Sequence, residues 1–201
     1  MVKIHPSALV ESSQIGDGTC VWAYAHVMDG AVIGCNVQVG DHGFIEGGAM
    51  IGNNVTIKNQ VCIWEGVEIQ DDVFIGPRVT FTNDKAPRSP RMEKMRERYS
   101  SRELWLARTY VGRGVAIGAA AVICPGIELG DYCMIGAGAV VTRSVPAFAL
   151  VVGNPARPIG YVCSCGQRLA GSTLEVDCDA CGESADTRMK LAVMALSTSG
   201  Q

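Results

Sequence analysis

The chain has 201 residues, of which 48% are hydrophobic and 18% charged, and its formal net charge is -3. That balance suits one domain with a continuous core and a small appendage, and it argues against a general nucleic-acid or membrane-surface binder. No stretch is apolar for the length of a membrane span and the N-terminus lacks a basic-then-apolar leader pattern, so a cytoplasmic protein is expected.

From Ile15 an aliphatic residue recurs every six positions, through Val21, Val27, Ile33, Val39, Ile45, Ile51, Ile57, Ile63, Ile69 and Ile75 to Phe81. The register resumes at Val111 and continues through Ile117, Ile123, Leu129 and Ile135 to Val141. A helix would need a period of 3.6 and a lone strand a period of 2, so neither fits. A fixed six-residue period is the mark of a β-solenoid. Three hexapeptides make one triangular coil, so residues 18 apart stack in columns with strands about 4.8 Å apart. Roughly six coils are expected from the repeats, closing at Val141–Val145 before the chain leaves through Pro146.

Stacking puts Asp29, Gly47, Glu65 and Asn83 in one outward column, beside a notch left by Gly47-Gly48. A carboxylate and an amide next to a notch suit a sugar hydroxyl or an amine; an ordinary solvated column is the competing reading. The coils break from Thr82 to Tyr110, a segment rich in arginine and lysine. Within it residues 91–99 are expected to form a short helix, with Pro87 and Pro90 keeping the preceding stretch extended. A loop of this length in a compact domain is usually functional or disordered. Its positive charge beside the candidate site favours function.

The hexapeptide pattern resembles that of the left-handed β-helix acyltransferases. The resemblance implies an all-β fold, a left-handed parallel β-helix over residues 1–160 with an inserted loop at 82–110; the handedness comes from the resemblance alone. Phe81-Thr82-Asn83-Asp84-Lys85-Ala86-Pro87-Arg88-Ser89 and, one coil earlier, Val61-Cys62-Ile63-Trp64-Glu65-Gly66-Val67 are similar to motifs of bacterial nucleotide-sugar 3-N-acetyltransferases. Those enzymes acetylate the 3-amino group of UDP- or dTDP-linked amino sugars for surface polysaccharide. By that resemblance Asn83 is a catalytic candidate, and Glu65, Asp84 and Arg88 line the acceptor pocket. Trp22-Ala23-Tyr24-Ala25-His26 stands where UDP-sugar members show Trp-His-aromatic-x-His. Ala23 replaces the first histidine, which leaves His26 as the second catalytic candidate, with Tyr24 and His42 as substrate-binding candidates.

The transfer such enzymes perform needs an unprotonated amine, a donor for the developing oxyanion and a route for a proton. An imidazole suits general-base work near neutral pH. A base is dispensable if the thiolate leaving group takes the proton, and orientation then supplies most of the rate. Val151-Val152-Gly153-Asn154-Pro155-Ala156-Arg157, following Gly136-Ala137-Gly138-Ala139, resembles the end of acetyl-CoA-dependent members, where the region lies along the pantetheine arm. This implies Gly118, Ala119, Ala137 and Gly138 as points of close approach and Arg143, Asn154 and Arg157 as further cofactor contacts. Small residues chosen for coil packing are the alternative. The family's usual assembly is a homotrimer with sites at subunit boundaries.

The γ-type carbonic anhydrases share the coil but need three histidines around a metal. His5, His26 and His42 lie too far apart in sequence for that arrangement. A different acceptor (a hydroxyl, an amino acid or an antibiotic) and a non-enzymatic trimeric scaffold stay open.

Nine cysteines divide into two groups. Cys20, Cys35, Cys62, Cys124 and Cys133 are scattered through the repeats as reduced packing or surface residues. Cys163-x-Cys165-Gly166 and Cys178-x-x-Cys181-Gly182 form two knuckles suited to a structural zinc with four thiolates. Spare thiols or a disulfide are the alternatives. The zinc-ribbon-like segment is placed at 161–186, followed by a tail at 187–201 with a possible helix.

Overall fold

A computed structural model describes residues 1–171 and 173–198, without the side chains of 192–198; residues 199–201 of the expected tail lie outside the described residues. Short parallel strands wind into a triangular prism, as the six-residue period requires. Each hexapeptide gives a strand of two or three residues and a tight corner, so successive strands fall on successive faces. Among the described residues, face A stacks eight parallel strands from Lys3–Ile4 to Ala149–Val152, with the antiparallel Arg157–Tyr161 at its end. Face B runs from Leu9–Val10 to Val140–Val141 and face C from Val32–Ile33 to Glu128–Leu129.

The prism is longer than the expected six coils. An extra coil at the N-terminus, Lys3–Ile4 and Leu9–Val10, precedes the Ile15 register. At the other end the chain does not leave at Pro146 but returns to face A as Ala149–Val152, whose Leu150 and Val151 pair with Met134 and Ile135.

Register partners are 18 residues apart along most of the stack, as in Cys20↔Gln38 and Ala116↔Met134. Across the loop they are 42 apart, as in Phe74↔Ala116 and Thr80↔Val122. An excess of 24 residues has been inserted at one corner and the stacking continues unshifted, which a solenoid permits because each coil touches only its neighbours. The six-period aliphatics point inward and, with Ala25, Ala31, Val37, Val55 and Val61, form one core.

The corners explain the polar residues of the repeat. Asn36, Asn54 and Asp72 hold φ of 57°, 57° and 64°, a left-handed conformation that asparagine and aspartate tolerate better than most residues. Stacked above one another, Asn36 donates to Asn54 Oδ1 at 3.3 Å and Asn54 to Asp72 Oδ1 at 3.0 Å.

The inserted loop departs from the expected helix. It contains two single 3₁₀ turns, Glu93–Met95 and Arg102–Leu104. Turn-type backbone bonds run on after the first, with Tyr99 N donating to Met95 O and Ser100 N to Glu97 O, both at 3.1 Å, while the side chains of Arg98 and Tyr99 bond to Asp84. Beyond face A, Ala185–Thr198 is an α-helix, begun by Ser184, whose Oγ accepts from Thr187 N at 3.3 Å. No helix among the described residues is long and apolar enough to cross a membrane.

Candidate active site

The prism has three edges, and the candidate residues divide between two of them. Glu65 and Asn83 sit on the edge between faces B and C, the corner from which the loop departs. Asn83 Nδ2 donates to the Glu65 carbonyl at 3.2 Å, so the two are neighbours as the 18-residue stacking requires. The Glu65 N–H donates to Glu46 Oε2 at 2.8 Å, and the Glu65 side chain lies over Gly48, where an added Cβ would stand 3.1 Å from Glu65 Cγ. The notch is thus filled by the carboxylate. Arg102 closes over it, with Nε 2.8 Å from Glu65 Oε1. Glu46 and Arg102 were not singled out from sequence; the loop's arginine excess was the available signal, but nothing in it specified the partner.

Asp84 anchors the loop. Arg98 holds it through two bonds of 2.8 and 2.6 Å, Tyr99 Oη donates to it at 2.7 Å, and Ala86 N donates at 2.8 Å. The Arg98 guanidinium holds this carboxyl well below the usual carboxylate range, against the opposing effect of burial. Tyr99 Oη also accepts the Arg88 N–H at 3.0 Å, while the Arg88 side chain donates back to Pro87 O at 2.8 Å. Both residues are engaged in holding the loop. Leu106 then packs on Gly66, where an added Cβ would meet it at 3.0 Å. Next to this edge a concavity of about 330 Å³ runs onto face C, lined by Gly66, Glu68, Arg108, Tyr110, Glu128 and others.

Tyr24, His42, Gly118, Ala119, Ala137 and Gly138 line the edge between faces A and B. Tyr24 and His42 stack with ring centroids 5.1 Å apart, at φ of 57° and 56°. His26 points outward from face B with its ring edge-on to Phe44 at 5.5 Å, and its Nε2 lies 3.5 Å from Glu11 Oε1. His26 lies on face B three strands along the stack from Thr80–Phe81, the strand that leads into Asn83, a separation of about 14 Å, so one protomer does not bring these two catalytic candidates together.

The two glycines of the proposed cofactor edge differ. A Cβ on Gly118 would stand 2.5 Å from Ala137 N, so coil packing alone demands glycine there. Gly138, at φ 68°, has nothing within 4 Å of the same position, leaving an open approach at the surface. Asn154 extends this edge, in the reversal between Ala149–Val152 and Arg157–Tyr161, where Ala156 N donates to Val140 O at 2.8 Å. Arg157 opens the return strand, and Arg143 lies exposed on the opposite side of face B.

In the tail the sulfurs of Cys163, Cys165, Cys178 and Cys181 all lie within 4.8 Å of one another. Cys163–Cys181 and Cys165–Cys178 are separated by 3.5 and 3.8 Å. Tetrahedral zinc with bonds near 2.3 Å needs sulfurs about 3.8 Å apart, so the cluster fits that metal. The backbone N–H groups of Cys181 and Ala180 lower the Cys178 thiol to about 7. Arg188, wholly buried, lies 3.7 Å from Cys163 Sγ and 3.3 Å from Glu183 Oε2. Neither acid–base partner was foreseen, because both fall outside the knuckle spacing. By contrast, burial pushes the Cys62 and Cys133 thiols up, as befits packing residues.

Known proteins place this architecture. The model for "Bacterial transferase hexapeptide (six repeats)" matches residues 48–83 and 108–143, on either side of the loop. The chain is 46% identical over 166 residues to dTDP-3-amino-3,6-dideoxy-alpha-D-galactopyranose 3-N-acetyltransferase of Aneurinibacillus thermoaerophilus, covering 83% of this chain and 81% of the relative. It is 37% identical over 93 residues to galactoside O-acetyltransferase of Escherichia coli, covering 46% of this chain and 43% of that one. Among solved structures, GDP-perosamine N-acetyltransferase of Caulobacter crescentus, in complex with CoA and GDP-perosamine, aligns with a TM-score of 0.52 at 22% identity. That alignment covers 79% of this chain and 56% of the other, and it speaks for the fold alone. The repeat match on both sides of an undisturbed register, together with a relative alike over four-fifths of both chains, shows that the chain belongs to the hexapeptide-repeat acyltransferases.

Proposed function

We propose that the protein transfers acetyl from acetyl-CoA to the 3-amino group of a dTDP-linked amino sugar, in the cytoplasm, for surface polysaccharide synthesis. The observation that carries this reading is the Glu65–Asn83 pair at the mouth of the loop, in a chain 46% identical to an enzyme named for that reaction. Asn83 commits its amide nitrogen to the Glu65 carbonyl, which orients its oxygen to accept from the sugar amine. The amine nitrogen forms its bond to the thioester carbonyl carbon as the carbon–sulfur bond breaks. The amine proton leaves with the CoA thiolate as a thiol, so no protein base is required. Orientation supplies the acceleration, and Glu65 holds a neighbouring group of the sugar.

The acceptor edge and the open cofactor edge at Gly138 belong to different corners of one prism. We therefore read the working form as a homotrimer in which the loop-bearing edge of one protomer faces the Gly138 edge of the next. The tail holds a structural zinc: all four positions are thiols, leaving no open coordination site for catalysis.

Incubation with acetyl-CoA and dTDP-3-amino-3,6-dideoxygalactose, read by mass spectrometry, tests the assignment. An acetylated nucleotide sugar is expected. Acetylation of a galactoside in place of the amino sugar would favour O-transfer instead, the activity named for the E. coli relative.

A further inference from the structure

The return strand Arg157–Tyr161 has two flanks. One pairs antiparallel with Ala149–Val152, ending with Val162 N donating to Phe148 O at 2.8 Å. The other is covered by the tail's own hairpin: Arg168 Nη2 donates to Ile159 O at 2.9 Å, Leu169 N donates to Tyr161 O at 2.9 Å, and Val162 bridges Arg168. The edge of the nine-stranded face is therefore closed by a segment whose own core is only Cys163, Leu169 and Cys178, with Tyr161, Leu174 and Val176 partly buried around them. So small a core does not hold a fold unaided, and a metal would supply the missing free energy.

The same strand connects two sites. At one end it enters the knuckle at Cys163; at the other it leaves the Gly153–Ala156 reversal that carries Asn154 and begins with Arg157. Arg157 and Cys163 are six residue steps apart along extended chain, about 20 Å. Four thiolates on a divalent zinc leave a net charge of -2, and the buried Arg188 guanidinium, shared between Cys163 Sγ and Glu183 Oε2, is placed to offset part of it. The loaded cluster thereby holds the 162–169 hairpin against the return strand.

We propose that zinc binding and acetyl-CoA binding are thermodynamically coupled through the return strand. Zinc fixes the hairpin, the hairpin fixes the outer flank of Arg157–Tyr161, and the strand fixes the Asn154–Arg157 reversal for the cofactor. The proposal rests on the zinc and acetyl-CoA readings above. Linkage makes the effect reciprocal, so each ligand must tighten the other by one common factor.

The test uses the intact purified protein. Its zinc affinity is titrated against a competing chromogenic chelator, with and without saturating acetyl-CoA. Its acetyl-CoA affinity is measured by calorimetry before and after zinc is stripped, with dTDP as a control ligand. Both affinities should change about fivefold or more and by the same factor, the lower end of ordinary coupling, while dTDP binding stays constant. Equal loss of dTDP binding on stripping would overturn the proposal by showing general collapse. If zinc and acetyl-CoA both bind and neither alters the other, the coupling alone is wrong. Protein that takes up no zinc, or zinc-loaded protein that does not bind acetyl-CoA, would also overturn it, and would show which of the two underlying readings had failed.

Discussion

The solenoid and the tail solve the same problem by opposite means. In the solenoid, Ile45, Ile63, Phe81 and Ile123 stack on one face with no exposure, each lying above the last because the period never slips. In the tail, three buried residues and four sulfurs serve instead. Repetition builds a core from ordinary aliphatics, whereas a short segment without repeats needs cross-linking chemistry.

That contrast can be broken most forcefully at the metal. With the proposed zinc in place, stripping it should unfold the tail, since a structural zinc contributes on the order of 10 kcal/mol to such modules, while the solenoid's melting transition survives. Circular dichroism during chelation checks this, and loss of the solenoid transition as well would erase the distinction. Phe81→Ala comes next, with an expected cost of about 3–5 kcal/mol read by chemical denaturation. Its site has no exposure and is packed between the coils on either side, immediately before the loop.

A smaller effect separates the loop from the coils it leaves. Asp84→Asn removes the Arg98 pair, and limited proteolysis within residues 85–105 should quicken severalfold with the solenoid's melting unchanged. Because Asp84 is held below the usual carboxylate range, its contribution is complete above about pH 4 and is lost as pH falls towards its depressed folded value. Loop protection should therefore persist at pH 5 and fade only in stronger acid. Smallest is the contrast between two glycines on one edge. Gly118→Ala forces a Cβ to within 2.5 Å of Ala137 N and should cost about 1–3 kcal/mol. Gly138→Ala meets no atom and costs only its left-handed backbone, about 1–2 kcal/mol, yet should weaken acetyl-CoA binding. Equal acetyl-CoA affinity in the two variants would remove the reason for treating Gly138 as the open one.

Much of this was legible because a period is a global property of the sequence. The inward aliphatics, the 18-residue columns and the Glu65–Asn83 contact all follow from it, and the sulfur cluster follows from local spacing. The coil count fell short because Ile4 and Val10 of the first coil precede their partners Val21 and Val27 by 17 residues rather than 18, one position out of the Ile15 register, and because Pro146 reads as an exit although the chain turns back onto face A at Ala149. The 91–99 stretch is a run of turns rather than one helix, and the Asp84 contacts that tie its Arg98 and Tyr99 side chains to the coils come from outside the stretch, where no local pattern shows them. Arg102 and Arg188 stayed hidden for the same reason: long side chains find partners that no periodicity specifies. The separation of candidates onto two edges was implicit in the hexapeptide register but emerges only once each residue is assigned to a corner.

The central claim is that a working site takes the Glu65–Asn83 edge from one protomer and the Gly138 edge from another. The direct test is complementation between Asn83→Ala and Gly138→Trp chains, co-expressed with different tags and purified through both. Each variant alone should be nearly inactive in acetylating dTDP-3-amino-3,6-dideoxygalactose, and the doubly tagged assembly should regain activity, because some of its interfaces pair two unaltered edges. A doubly tagged assembly no more active than either parent would contradict the shared site.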